Sequence, residues 1–173
     1  MKPIFKPLTF PKFNRKAKYI IIHDNHCTLD GFNEISSKSA KCLVNKARGF
    51  NWITNHQTDL NCHMVVQVIE NIPETILARP LHRKCVYEDI PSQYDYAFHI
   101  MLLGDYEILL PDQDFYNQIA YRAIAPFLMW FKMSVPQILL HSEVTTSDIH
   151  KNCPGSLFDK NKLLGALQSM KAV

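Results

Sequence analysis

Glycine is scarce in this chain, with five in 173 residues. None sits in a G-x-G-x-x-G run or a phosphate-cradling loop, which disfavours nucleotide chemistry. No stretch approaches the ~18 consecutive apolar residues that a membrane-spanning helix needs. The basic N-terminus has no apolar stretch of the secretory-signal kind, and Pro3, Pro7 and Pro11 interrupt it. The expectation is a protein made and folded in a cytoplasm without a signal peptide. Charge of one sign is also lacking. The net +3 is mild and the basic residues form no long block, so no nucleic-acid partner is expected. Five cysteines are an odd number without a small-scaffold pattern, which favours reduced thiols over a disulfide framework.

An ordinary soluble composition remains, 47% hydrophobic and 20% charged. At this length one domain is expected, large enough to bury a substantial core. Residues 1–17 read as an extended arm, because their prolines oppose both helix and central strand. Residues 18–173 read as the folded domain. Strands are expected over Lys18–His23, His63–Ile69, Phe98–Leu103 and Gln137–Leu140, with a further short one at Thr75–Ala78. Helices are expected over Ser37–Arg48, Asp114–Phe131 and Asp159–Lys171. Pro126 should kink or split the second, and Asp159 is placed to cap the third. Residues 25–33 and 80–96 read as polar surface loops. Strands interleaved with helices give an α/β fold, a central mixed sheet flanked by helices.

Within that frame, His23 ends the apolar run Tyr19-Ile20-Ile21-Ile22, and His141 follows the short strand ending at Leu140. Cys153 lies 12 residues beyond His141 (153 − 141), just before Pro154-Gly155. Two imidazoles and a thiolate suit one zinc ion, and a catalytic zinc takes three protein ligands and leaves a fourth position for water. Strand ends open onto the crevice where α/β sheets bind ligands. Lys151, two residues before the thiolate, could hold an anion formed there. The spacing alone matches none of the short zinc motifs, and each residue alone is as readily structural.

The chain resembles the zinc-dependent N-acetylmuramoyl-L-alanine amidases, a group that includes amidase-type phage lysozymes and the peptidoglycan-recognition proteins. Tyr19-Ile20-Ile21-Ile22-His23 looks like that family's first strand and first zinc histidine. Asn61-Cys62-His63-Met64-Val65-Val66 looks like its central strand, and Phe98 to Gly104 like the next. Residues 113–144 resemble its long helix and the strand carrying the second histidine. His150-Lys151-Asn152-Cys153-Pro154-Gly155-Ser156-Leu157-Phe158 is the most specific match. The resemblance spans roughly residues 18–170. It implies one zinc held by His23, His141 and Cys153 in a groove at the strand ends, with Lys151 stabilising the transition state. It also implies cleavage of the amide between muramic acid and L-alanine in peptidoglycan or muropeptides. Such a protein would be phage endolysin-like, acting on the bacterial cell wall, or would act on cytosolic muropeptides.

One departure bears on activity. Where one branch of the family has a tyrosine this chain has Cys62, and where another has a glutamate it has Met101. Neither is an obvious general base, a role worth ~10²–10⁴-fold in rate. Glu143, His63, His26 and Tyr96 are candidate substitutes. The alternative function is therefore a catalytically weakened zinc-binding module that recognises peptidoglycan or belongs to a phage particle. A cysteine peptidase using Cys153 and His141 ranks last, because Pro154 removes an N–H that an oxyanion hole would use. His63 reads as a core or supporting histidine. Trp52, in a polar stretch, is a candidate sugar-stacking platform.

Overall fold

A computed structural model describes residues 17–24, 61–69, 72–79, 81 and 83–170. The arm at 1–16, the helix expected at Ser37–Arg48, the loop at 25–33, and His26, Cys27, Cys42 and Trp52 lie outside the described residues.

Five strands form one sheet: β1 (Ile20–Asp24), β2 (Met64–Ile69), β3 (Ile72–Leu77), β4 (Phe98–Leu103) and β5 (Ile138–Leu140). Their order is β3-β2-β4-β1-β5. Every neighbouring pair is parallel except β2 and β3, which form an antiparallel hairpin at one edge. The expected mixed sheet is thus present. Its interior strand β1 is buried along its whole length, as strands covered on both faces are in parallel sheets.

Period-two alternation sorts the side chains into two layers. Ile20 and Ile22 of β1, Met64 and Val66 of β2, and Phe98, Ile100 and Leu102 of β4 face the main core. There they meet Phe115, Tyr116, Ile119, Phe127, Phe131, Leu163 and Leu167 from the helices. Ile21 belongs to a separate small cluster with Ala97 and Val144 on the opposite face. The described helices therefore pack against one face. Between β4 and β5 run α1 (Gln113–Ile119) and α2 (Ala125–Phe131), and α3 (Lys160–Met170) follows the last loop.

The break expected at Pro126 takes a specific form. Residues Ala120–Ile124 make a π turn, and the Ala125 N–H donates to the carbonyl of Ala120 five residues back. Proline lacks an N–H and crowds the carbonyl four residues behind it, so the ladder shifts by one residue and resumes with Pro126 in the first turn of α2. Side chains cap two helices. Asp112 accepts from Phe115 N at 2.8 Å, and Asp159 accepts from Asn161 N at 2.9 Å, as expected of an N-cap.

Candidate metal centre

The three ligand candidates come together. Single donor atoms of His23, His141 and Cys153 all lie within 4.8 Å of one another, and all three residues are buried. β1 delivers His23 one residue before the strand ends, on the face away from the helices. His141 opens the 3-10 turn His141–Glu143 directly after β5. The Cys153 loop is tied to that turn by Ser142 N donating to Cys153 O at 3.0 Å. The expected placement at strand ends is therefore realised.

The chemistry of the donor set fits a metal. Among the described residues, His23 Nδ1 and both ring nitrogens of His141 are buried without a hydrogen-bond partner; Asp89 stands beside His141 Nε2 as an ion-pair partner only. Such atoms are rare in folded proteins and call for an explanation. Burial pushes the His23 imidazole well below its ordinary pKa, with the neighbouring His99, His141 and His150 adding to the shift. Burial likewise lowers His141 to about 4, against a partial upward pull from Asp89. Both rings are therefore neutral at physiological pH, the form that ligates. Cys62 and Cys85 are free thiols, but Cys153 is disulfide-bonded in this structure, contrary to the all-reduced expectation. Only reduced Cys153 could ligate, since a metal takes the thiolate. The carboxylate of Asp24, also buried, lies 3.6 Å from its Sγ.

Further residues complete the surroundings, and the sequence reading did not single them out. His99 Nδ1 lies 2.8 Å from His23 Nε2. The Tyr87 ring stacks on His23 at 4.7 Å between centroids and on His99 at 4.8 Å. Asp89 Oδ2 lies 2.9 Å from His141 Nε2 and accepts from Thr145 Oγ1 at 2.5 Å. His150 stacks beside His141 at 5.0 Å. Burial pushes the Asp89 carboxyl up, but the Thr145 hydrogen bond and the charge of His141 outweigh it and hold the pKa below the usual carboxylate value. Tyr87 and Asp89 belong to the segment read as a polar surface loop. It instead turns inward here, and Thr146 N donates to Asp89 O at 2.7 Å to hold it. Alternation along β4 was a usable signal for His99, because Phe98, Ile100 and Leu102 claim the other face.

The remaining candidates are elsewhere. The Lys151 side chain is exposed and ion-paired with Asp148. Cys62 is fully buried and its thiol is pushed well above its usual pKa by burial. Met101 is in register with His23, on the same face of the sheet as that ring, and brings a thioether. Glu143 accepts from Leu140 N and from Lys160 Nζ, each at 2.7 Å. His63 is a buried supporting residue. It accepts from His99 N at 3.0 Å through Nδ1, and its Nε2 lies 2.9 Å from Arg83 O, to which it donates. Tyr96 is exposed and lines an open pocket with His63 at the N-terminal ends of β1 and β4.

Comparison with known proteins places this geometry in context. No protein-family model matches the sequence, and no curated protein matches it. Solved structures do. A selenomethionine derivative of AmpD superposes with a TM-score of 0.61 at 14% identity, covering 88% of this chain and 86% of that one. The endolysin N-acetylmuramoyl-L-alanine amidase LysCS from Clostridium intestinale gives 0.58 at 16% identity, covering 88% and 84%. A point mutant of Drosophila PGRP-LB in complex with tracheal cytotoxin gives 0.53 at 17% identity, covering 84% and 79%. At these identities the likeness establishes a shared fold, the one expected from the sequence.

Proposed function

We propose that this chain, which has the fold of the N-acetylmuramoyl-L-alanine amidases and peptidoglycan-recognition proteins, is a zinc-dependent amidase. Its substrate would be the amide between N-acetylmuramic acid and L-alanine in peptidoglycan or muropeptides. The observation that carries this reading is the convergence of one ring nitrogen each from buried His23 and His141 with the Cys153 sulfur at the strand ends of that fold, in rings that keep buried nitrogens without a hydrogen-bond partner among the described residues. His23 and His141 would ligate through Nδ1 and Cys153 through its reduced Sγ. A bound zinc supplies a polarised carbonyl and a water with a pKa near 7.

The chain's own residues supply the rest. Asp89 holds the far side of the His141 ring, and Tyr87 covers His23 and excludes solvent from it. Lys151 would turn from Asp148 toward the groove and meet the developing oxyanion with its ammonium group. Its exposure leaves that rotation unhindered by packing. A lytic, phage endolysin-like role on the cell wall is the setting we favour, and an endolysin amidase is among the proteins of like fold. Recognition of a peptidoglycan fragment agrees with the tracheal cytotoxin bound to the PGRP-LB relative in fold.

Met101 and Cys62 support a second reading. Neither a thioether nor a thiol with a raised pKa can take a proton from water, so a binding module with weak turnover is the alternative. The deciding experiment uses reduced, zinc-loaded protein with purified muropeptides. Release of free peptide from muramic acid supports the amidase. Saturable binding without release supports the recognition module. Failure of the reduced protein to take up a metal, together with an unchanged metal content in His141→Ala, defeats both.

A further inference from the structure

The geometry points to His99 as a positioning residue that commits His23 to presenting Nδ1 to a metal. This inference rests on the metal-site reading above and adds to it a device that none of the ligands provides.

The two nitrogens of the His23 ring are occupied differently. Nε2 is 2.8 Å from His99 Nδ1, a hydrogen bond between buried rings. Nδ1 has no hydrogen-bond partner among the described residues. One proton is shared between the two rings across the Nε2···Nδ1 contact, so two arrangements are possible. If His99 donates, the proton of neutral His23 lies on Nδ1, a buried donor with nothing to receive it. If His23 donates through Nε2, its Nδ1 keeps a bare lone pair, in a ring that belongs to the cluster with His141 and Cys153. The second arrangement leaves no donor stranded and turns the ring into a ligand. In neutral imidazole, the hydrogen bond on one nitrogen sets the state of the other.

His99 is itself held in place. Its backbone N–H donates to His63 Nδ1 at 3.0 Å, and its carbonyl accepts from His63 N at 2.9 Å. The Tyr87 ring stacks on both members of the pair. The acceptor for His23 thus sits on a central strand, anchored by backbone and covered by an aromatic ring. That is the arrangement by which supporting residues orient a ligand.

The test compares reduced wild type with His99→Leu and His99→Asn. Asn can offer its amide oxygen near the place of the imidazole Nδ1, whereas Leu fills the space without an acceptor. Zinc affinity is read by competition with a chromogenic chelator. Cobalt substitution reads ligand geometry through the d–d and thiolate charge-transfer bands. We expect His99→Leu to lose 10–100-fold in zinc affinity with altered cobalt bands, and His99→Asn to recover most of the loss. Equal affinity and spectra in folded His99→Leu and wild type would overturn the role, as would Asn behaving like Leu. Should both variants fail to fold, long-range 1H–15N NMR of the metal-free, reduced wild type decides. A proton on His23 Nε2 supports the assignment and a proton on Nδ1 overturns it. A wild type that takes up no metal defeats the metal-site reading itself. Failure confined to the variants defeats only the role of His99.

Discussion

Met101 bears most directly on turnover. It is fully buried and in register with His23, so a carboxylate there would stand beside the metal-facing ring. Met101→Glu is expected to raise amide cleavage by about 10–10² fold, within the usual range for a positioned general base. It should also lower the stability of the metal-free protein, because a buried carboxylate is desolvated. Muropeptide turnover and thermal melting check the two halves. A folded, zinc-loaded variant with unchanged turnover would show that the site lacks more than a base.

His63 has a different consequence. Burial lowers its pKa to about 4, partly offset by the hydrogen bond to Arg83, while an unfolded chain would titrate near 6.5. Between these values the unfolded state holds a proton that the folded state lacks. The contribution is therefore complete above pH 6.5 and is lost as pH falls toward 4. From pH 7 to 5 this side chain alone should account for about 2 kcal/mol of lost stability. Urea unfolding of the metal-free protein at pH 7, 6 and 5 measures the slope. His63→Gln, which keeps both a donor and an acceptor, should flatten it. An equal slope in the variant would assign the effect to other groups.

Among the elements, the turn after Cys153 is the most constrained. Gly155 has φ +121°, and a Cβ there would lie 2.5 Å from the carbonyl carbon of Tyr106. Both the backbone region and the close approach demand glycine. Gly155→Ala should cost upward of about 2 kcal/mol and weaken zinc binding as well, because the displaced segment carries Cys153. Denaturant midpoint and metal affinity should fall together, and an unchanged midpoint would contradict the close packing against Tyr106.

What the sequence disclosed follows the same division. β1, β4 and α3 were legible because short runs of apolar residues and an N-capping Asp159 are local signals. His23, His141 and Cys153 were legible because each is adjacent to a strand end or a turn motif that can be matched locally. Tyr87 and Asp89 were not, since the composition of a polar segment does not say which way its side chains turn. Asp89 is placed by hydrogen bonds from Thr145 and Thr146, more than fifty residues away, and Tyr87 by its hydroxyl donating to Asn61 O. Pro126 announced a break in the helix, but only the backbone reveals that the break is a one-residue shift in hydrogen bonding.

At the level of the whole molecule, the ligand candidates come from β1, the end of β5 and the loop before α3. A metal bound there ties together parts of the chain more than a hundred residues apart. It should stabilise the folded state by mass action, by about 2.7 kcal/mol at free zinc 100-fold above Kd. For a domain of this size that corresponds to a rise of roughly 5–10 °C in Tm. The Cys153 disulfide makes the effect conditional. Reduced protein should bind one zinc and gain the stability, a chelator should reverse it, and oxidised protein should do neither. Zinc content and melting temperature under these three conditions check this. Equal zinc uptake by oxidised protein would remove Cys153 from the ligand set.

The sheet is lopsided in what covers it. One side rests on α1, α2 and α3, where packed apolar side chains tie each position to many others. The histidine-bearing side is roofed, among the described residues, by loops and short 3-10 turns around 83–97 and 141–157, tied together by hydrogen bonds such as those between Asp89 and Thr145 and Thr146. Roof and foundation can therefore diverge at different speeds. The chemistry of the groove can be retuned, or extinguished, by exchanging loop residues while the scaffold beneath them stays put.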